Sequence, residues 1–305
     1  MPERIVRVVL GCGNFGGIGS APEFFGDGEG EEEAFALMDA AWELGVRWFD
    51  TADAYGGGRS ETAIGKWIRA TGNRPRLTTK TFNPMTAGAD RGLARDRILR
   101  QVESSLDRLG VESVDLYLAH EFDPDTPLEE TMAAFEQLVK RGLAGAYGVS
   151  NFDAAQLRVA LAAGTPSYVQ NSYSLLDRQD DDELVPLCVE RGVNYQAFSP
   201  LAGGWLTGKY RRGSPPPDGS RMTMRPEPYR HLDDDCIYNG LDGFAQAAAE
   251  RGVSMAALAL AWALASPHVD SIVVGPRRPD HLSPIMENVR LSAAEREELT
   301  SLFPG

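Results

Sequence analysis

Short runs of β-branched and aromatic residues recur along the chain, separated by stretches in which apolar residues have helical spacing. Eight runs have the length and composition of buried strands: 6–10, 46–50, 76–80, 113–119, 145–150, 167–171, 193–199 and 270–275. After the first run, Leu37, Ala41 and Leu44 share one face of a predicted helix. Strands that alternate with amphipathic helices predict a parallel sheet covered by helices, and eight such units predict a closed (β/α)8 barrel.

The connections between these elements differ in length on the two sides of the predicted barrel. Helices run directly into the next strand through glycines suited to a left-handed cap, at Gly45, Gly110, Gly142 and Gly192. The segments that follow strands are long and rich in Gly, Pro, aromatic and charged residues, above all 11–30, 81–92, 120–127 and 199–240. Because the loops after the strands form the active site of such barrels, we expect the site on this face.

The longest of these loops, 199–240, allows a second interpretation. Its proline and charge content would also suit a linker between two domains. The helix and strand that follow it are needed to complete the eight units, so we predict one barrel domain over residues 1–305.

Composition restricts the possible partners. The chain has 305 residues, 43% of them hydrophobic, and a formal charge of −14, so we expect no nucleic-acid or membrane partner, and an anionic ligand would need a local basic pocket. Three separated cysteines argue against a disulfide framework. No apolar run has the length of a signal-peptide core at the start or of a membrane helix elsewhere, and we predict a cytoplasmic protein.

The motif Gly11-Cys12-Gly13-Asn14-Phe15-Gly16 fits the spacing of a dinucleotide fingerprint after a strand. A Rossmann fingerprint must open a helix, whereas here a glycine-rich segment follows and the first helix cannot begin before about residue 30. We therefore interpret these glycines as a loop that lets the backbone approach a ligand at the barrel mouth.

Four polar residues lie at or shortly after the ends of predicted strands: Asp50, Tyr55, Lys80 and His120. A nearby ammonium group lowers the pKa of tyrosine, so Lys80 would make Tyr55 a better acid while Asp50 holds Lys80 protonated. His120 would donate a hydrogen bond to the substrate oxygen or orient the substrate. Such a site protonates a carbonyl oxygen as hydride reaches the carbonyl carbon. Singly, each residue has a simpler explanation, as a loop cap, a surface aromatic, a solvated lysine or a barrel-end histidine.

Five segments spread over most of the chain resemble the aldo-keto reductase superfamily: WFDTADAYGGGRSETAIGKWI, LTTKTF, VDLYLAHEFD, GVSNFDAAQL and FSPLAGGWLTGKY. The resemblance implies a (β/α)8 fold and reversible NAD(P)H-dependent carbonyl reduction, without a metal. It further implies Tyr55 as general acid, Lys80 and Asp50 as the pair that tunes it, and His120 as the residue that orients a small carbonyl substrate.

The same resemblance assigns positions to the cofactor: Gly13, Asn14, Ser150, Asn151, Gln170, Phe198, Ser199, Leu201, Gly204, Lys209, Gly275, Arg277 and His281. Arg277 matches the segment that holds the adenosine 2′-phosphate, and arginine suits phosphate, so we predict NADP(H) rather than NAD(H). The pair that contacts adenine is either replaced by Pro284 and Ile285 or displaced to Glu287 and Asn288.

Several loop aromatics are candidates for the substrate pocket: Phe24, Phe82, Phe122 and Trp205. Each could equally be a packing anchor. Two functions stay open at this point. The first is an NADPH-dependent reductase of aldehydes or ketones, and the second is a regulatory binding module that retains the cofactor site with little turnover. The complete set of four catalytic candidates favours the reductase, and the oligomeric state stays open.

Overall fold

Eight parallel strands close into a barrel in chain order in this computed structural model, which describes residues 5–287 and 289–303. The strands are β1 Val8–Gly11, β2 Trp48–Asp50, β3 Arg76–Thr81, β4 Val114–Ala119, β5 Ala144–Ser150, β6 Tyr168–Ser172, β7 Asn194–Phe198 and β8 Ser271–Val274. The last strand pairs with the first, with Val9 opposite Val273. The predicted (β/α)8 barrel is confirmed, and each predicted run overlaps one strand.

Helices surround the barrel. They are α1 Glu31–Leu44, α2 Arg59–Thr71, α3 Arg95–Leu109, α4 Leu128–Lys140, α5 Ala154–Ala163, α6 Leu184–Arg191, α7 Arg221–Met224, α8 Asp235–Glu250, α9 Met255–Ala265, α10 Ser283–Met286 and α11 Ala293–Thr300. The first begins at Glu31, so the glycine motif at Gly11 opens a loop and no helix. The left-handed glycine cap is present at Gly45, Gly110 and Gly192. In α4 the cap is Arg141, and Gly142 adopts the left-handed conformation one residue later.

The core has two parts because strand residues alternate between the inside of the barrel and the layer under the helices. Inside, Val9, Trp48, Leu116, Leu118 and Val273 form an apolar cluster. The inward positions that follow along β2 and β3 are polar. Asp50 comes two residues after Trp48, and Lys80 belongs to the inward set of β3. The interior therefore changes from apolar to polar toward the end where the strands finish.

The segment between β7 and α8 contains the 3-10 stretch Ala202–Thr207 and the short helix α7. The strand reached after it, β8, pairs with both β7 and β1 and closes the barrel. Among residues 5–287 and 289–303, no single helix is both long and apolar enough to cross a membrane; α8 and α9 meet the criteria only when joined, and they are bent by 94°.

Candidate active site

Four predicted side chains converge where the strands end. The Nζ atom of Lys80 donates a hydrogen bond to Oδ1 of Asp50 at 2.5 Å and lies 3.4 Å from the hydroxyl oxygen of Tyr55. That hydroxyl lies 3.5 Å from Nε2 of His120. The Lys80 and Asp50 side chains are 1% and 4% exposed. The four thus form one continuous polar chain, which runs from a buried ion pair to a tyrosine and a histidine.

Local backbone geometry positions Tyr55. It opens a 3-10 turn in which Gly56 and Gly57 have φ of 57° and 66°. A Cβ atom at Gly56 would lie 2.7 Å from the backbone of Gly16, so the turn packs directly on the first loop, residues 12–30 between β1 and α1. A Cβ atom at Gly13 would lie 3.5 Å from the Tyr55 ring. The glycine motif that resembles a dinucleotide fingerprint therefore forms the wall against which Tyr55 rests.

Burial and charge set the protonation states of the site. Burial acts to lower the pKa of Lys80, but the Asp50 carboxylate and Tyr55 outweigh it and raise that pKa above its ordinary value. Burial raises the pKa of Tyr55 above 10, and the Lys80 charge offsets only part of this effect. Lys80 acts on Tyr55 in the predicted direction, but it does not bring this pKa below its usual value, because desolvation of the phenolate is the larger effect. Tyr55 is protonated at neutral pH.

His120 is neutral in this environment. Burial and the nearby Lys80 charge lower its pKa well below the ordinary value of 6.5. Its backbone N–H donates to the carbonyl of Thr81 at 3.0 Å, which fixes the residue just beyond β4. Its Nδ1 atom is buried and has no hydrogen-bond partner among the residues that the structure describes. A neutral imidazole whose Nε2 faces Tyr55 suits a hydrogen bond with a substrate oxygen.

A chain of amides continues from the ion pair across the barrel interior. Nε2 of Gln170 donates to Oδ2 of Asp50 at 2.7 Å and to Oε1 of Gln196 at 2.6 Å. Gln196 in turn donates to Ser271 at 2.8 Å. Gln170, predicted as a cofactor residue, thus also holds the second oxygen of Asp50. Gln196 and Ser271 are missing from our sequence predictions, although their inward strand positions could have identified them.

A second polar network supports the catalytic strand from outside the barrel. The backbone N–H of Asp53 donates to the Lys80 carbonyl at 2.9 Å. Thr81 donates to Oδ2 of Asp53 at 2.7 Å and accepts from Arg97 at 2.8 Å. Burial raises the pKa of Asp53 to about 7. Asp53 is absent from our predictions, although it stands two residues before Tyr55 in the same motif.

The loops after β5 and β7 contain the three non-glycine residues with positive φ in the described chain, Asn151, Ser199 and Ala202. Such residues are uncommon and concentrate at functional sites. Asn151 donates to the carbonyl of His120 at 2.9 Å, and Ser199 lies 3.1 Å from the hydroxyl of Tyr229. Ser150 is buried, while Phe198 and Leu201 are partly buried. The predicted nicotinamide residues thus border the catalytic group.

A basic cluster lies where the first loop, the long loop and the loop after β8 meet. It comprises Lys209, Arg221 and Arg277. Burial is the main cause that lowers the pKa of Lys209, and the positive charges of the two arginines lower it further. Gly204 has a φ of 96°, which favours glycine, and the flexible end of the Lys209 side chain lies where its Cβ atom would be. Nη2 of Arg221 donates to Oδ1 of Asn14 at 3.1 Å. Arg221 was absent from our predictions because its loop shows no periodic pattern that would indicate where it folds.

The loop after β8 carries the remaining cofactor candidates. The backbone N–H of Arg277 donates to Nδ1 of His281 at 3.3 Å. Gly275 lies against Gly11, where an added Cβ would be 3.4 Å from the Gly275 backbone. Of the adenine candidates, Ile285 is buried, and Glu287 accepts hydrogen bonds from the backbone and hydroxyl of Ser254. The predicted partner of Glu287, Asn288, lies outside the described residues.

The predicted substrate aromatics separate into two groups. Phe24, Phe82 and Phe122 are partly buried, and the Phe122 ring contacts Phe152 edge-on, with centroids 5.6 Å apart. Trp205 is 1% exposed and packs on Tyr210 at 4.9 Å between ring centroids. This placement matches the packing alternative, because an indole enclosed by the core offers no surface to a ligand.

Glu121 is a further polar group near the site, and it is absent from our predictions. Burial raises the pKa of this half-buried carboxyl to about 7. Its Oε1 accepts from Nδ2 of Asn151 at 3.2 Å. Its charge also acts to raise the pKa of Tyr55.

Among the residues that the structure describes, no three His, Cys, Asp or Glu side chains are grouped as a metal site requires.

Comparison with known proteins identifies the class. A family model described as "Aldo/keto reductase family" matches residues 7–303, and the chain belongs to that family. It is 33% identical to "Uncharacterized oxidoreductase YrpG" of Bacillus subtilis, over 99% of this chain and 93% of that protein. It is 34% identical to "Probable voltage-gated potassium channel subunit beta" of Arabidopsis thaliana, over 87% of this chain and 84% of that protein. A glycerol dehydrogenase structure from Gluconobacter oxydans superposes with a TM-score of 0.82 at 25% identity, covering 97% of this chain and 90% of that one.

Proposed function

We propose that the protein is an NADP(H)-dependent oxidoreductase that reduces an aldehyde or ketone to an alcohol, with Tyr55 as the general acid. The observation that carries the proposal is the hydrogen-bonded chain from Asp50 through Lys80 to Tyr55 and His120 at the end of the barrel. Membership of the aldo-keto reductase family supports it. So does the name of a 29% identical relative from Aspergillus parasiticus, "Versiconal hemiacetal acetate reductase".

Each of these four hydrogen-bonded residues has a defined task in the proposed reaction. The reduced nicotinamide, when bound, supplies the hydride that reaches the carbonyl carbon. The Tyr55 hydroxyl gives its proton to the carbonyl oxygen, and the resulting phenolate lies beside the Lys80 ammonium, 3.4 Å away in the structure. Asp50 keeps Lys80 charged in a buried position. Neutral His120 would share a hydrogen bond with the substrate oxygen, which positions the carbonyl toward Tyr55.

The residues present fit a phosphorylated dinucleotide. Lys209, Arg221 and Arg277 give this acidic chain a local basic cluster, which is the feature an anionic ligand needs here. Gly204 leaves space beside Lys209. Ser150 and Asn151, which border His120, would hold the carboxamide of the nicotinamide, and Arg277 would bind the 2′-phosphate. A cytoplasmic location stays a prediction.

A second candidate function is a regulatory subunit that binds NADP(H) with little turnover. Relatives named as probable potassium channel β subunits in Arabidopsis thaliana and Oryza sativa, each 34% identical, favour considering it. The connected set of four catalytic side chains favours turnover, because a protein that only binds needs no tyrosine proton donor beside a buried ion pair.

Turnover with a carbonyl panel separates the two functions. The purified protein is given NADPH, or NADH in parallel, with aromatic aldehydes, methylglyoxal and keto sugars, and the absorbance of the reduced nicotinamide is followed. Binding of each nucleotide is measured separately by quenching of the protein's fluorescence. The proposal expects oxidation of NADPH with at least one carbonyl. Tight NADPH binding without oxidation by any carbonyl would favour the regulatory function instead.

A further inference from the structure

One carboxylate lies inside the basic cluster. Oε1 of Glu29 accepts a hydrogen bond from Nε of Arg277 at 2.6 Å, and Nη1 of the same arginine donates to the Gly219 carbonyl at 2.7 Å. The Glu29 side chain is 5% exposed and that of Arg277 is 35% exposed. The guanidinium group proposed to bind the 2′-phosphate is therefore already paired with a negative charge.

The backbone fixes Glu29 in this position. Its N–H donates to the Asn14 carbonyl, and its own carbonyl accepts from the N–H of Gly16, both at 2.8 Å. A Cβ atom at Gly28 would lie 1.9 Å from the Asn14 carbonyl oxygen, so the chain reaches Glu29 through a position that only glycine fits. Because two hydrogen bonds hold the Glu29 backbone and Arg277 holds its carboxylate, this carboxylate is a built part of the site rather than a mobile surface group.

The carboxylate retains an unused acceptor. Its Oε2 atom is buried and has no hydrogen-bond partner within residues 5–287 and 289–303. Burial raises the pKa of Glu29, and the contact with Arg277 offsets only part of that effect. A buried acceptor left unpaired costs free energy unless a ligand donor satisfies it. A ribose hydroxyl is such a donor, whereas a phosphate at the same place would repel the carboxylate.

We propose that Glu29 is a specificity-determining residue that reduces the preference for NADPH over NADH that Arg277 would otherwise impose, so that the protein accepts both cofactors. This inference rests on the proposed function. Arg277 attracts the 2′-phosphate, whereas Glu29 neutralises part of that attraction and favours a ribose that carries a free hydroxyl. A purely structural role for the ion pair would change the affinities for both nucleotides by the same factor.

The test measures the Kd of NADPH and of NADH, at one ionic strength, by fluorescence quenching. Glu29→Gln keeps the size of the side chain and removes its charge. It is expected to raise the ratio of the NADH Kd to the NADPH Kd by about threefold to tenfold, as for a partly buried charge pair. The matched control Asp27→Asn removes one charge from an exposed position of the same loop, and it should change the ratio by less than about twofold. An unchanged or lower ratio in Glu29→Gln would overturn the proposal.

Arg277→Ala provides a second measurement if Glu29→Gln does not fold. With Glu29 left uncompensated, this variant is expected to bind NADH more tightly than NADPH, whereas equal losses for both nucleotides would contradict the proposal. Where Glu29→Gln does fold, adding it to Arg277→Ala should restore part of the NADPH affinity, because the repelling charge is then gone. If neither nucleotide binds the unmodified protein, the proposed function itself fails. If the unmodified protein binds and oxidises both nucleotides but Glu29→Gln leaves the ratio of their Kd values unchanged, only this inference fails.

Discussion

Replacing Asp53 by asparagine is expected to make the stability of the barrel less dependent on pH. The Asp53 side chain is fully buried, and its Oδ1 atom has no hydrogen-bond partner among the described residues. Burial is the main cause that raises its pKa to about 7; the hydrogen bond from Thr81 offsets part of this effect. The folded protein thus keeps a proton on Asp53 at pH values where the unfolded chain has already released it.

The size of the effect follows from this difference in pKa. An ordinary aspartate has a pKa of 3.8, about three units below the value of about 7 in the folded protein. The stabilisation from the raised pKa is present in full below about pH 4 and is lost as the pH rises to about 7. With about 1.4 kcal/mol for each pKa unit, the loss between about pH 5 and pH 8 amounts to about 2–3 kcal/mol. Asparagine does not titrate and escapes this loss.

Thermal unfolding of the original protein and Asp53→Asn near pH 5 and pH 8, followed by circular dichroism, measures the effect. The melting temperature of the original protein relative to the variant should fall by about 3–5 °C between the two pH values, given the unfolding entropy of a chain this long. Comparing two pH values cancels any constant cost of the amide. Asp27→Asn, at an exposed position, should show no such change. The reasoning is refuted if the difference in melting temperature between the two proteins is the same at both pH values, or if the original protein gains on the variant at the higher pH.

Two further predictions concern catalysis. Lys80→Met should lower kcat for carbonyl reduction by about a hundredfold or more, because the phenolate formed on Tyr55 loses its ammonium neighbour. The cofactor Kd measured by fluorescence should stay within about twofold of the original value. Retained activity would contradict the role of Lys80. Glu121→Gln should remove an inflection near pH 7 from the pH profile of kcat/KM, since the pKa of Glu121 is about 7 and its ionisation acts to raise the pKa of Tyr55; an unchanged profile would show that Glu121 does not influence the proton donor.

Much of the fold and the core of the site could be predicted from the sequence because both depend on local patterns. Period-two strands between amphipathic helices determine the barrel, and residues at strand ends converge whatever the details of packing. Asp50 and Lys80 are adjacent for that reason. Tyr55 lies next to Lys80, and His120 lies next to Tyr55, so the four predicted side chains are close together.

Other features depend on three-dimensional surroundings that no local pattern contains. The pKa of Tyr55 is raised because desolvation exceeds the effect of Lys80, and that balance depends on how deeply the hydroxyl is buried. Arg221 reaches Asn14 from 207 residues away. Trp205 lies in a loop rich in glycine, yet its ring is enclosed by the core. Long-range packing decided each of these, so Arg221 could not be identified from the sequence, and Trp205 could be placed only as either a substrate aromatic or a packing anchor.

The central claim is that Tyr55 donates the proton in carbonyl reduction. Tyr55→Phe removes only the hydroxyl group that lies 3.4 Å from Lys80 and 3.5 Å from His120. The direct measurement compares NADPH binding and single-turnover reduction of an accepted aldehyde in the two proteins. The account predicts an NADPH Kd within about twofold of the original and a reduction rate lower by about a hundredfold or more. Reduction by Tyr55→Phe at an undiminished rate would contradict it.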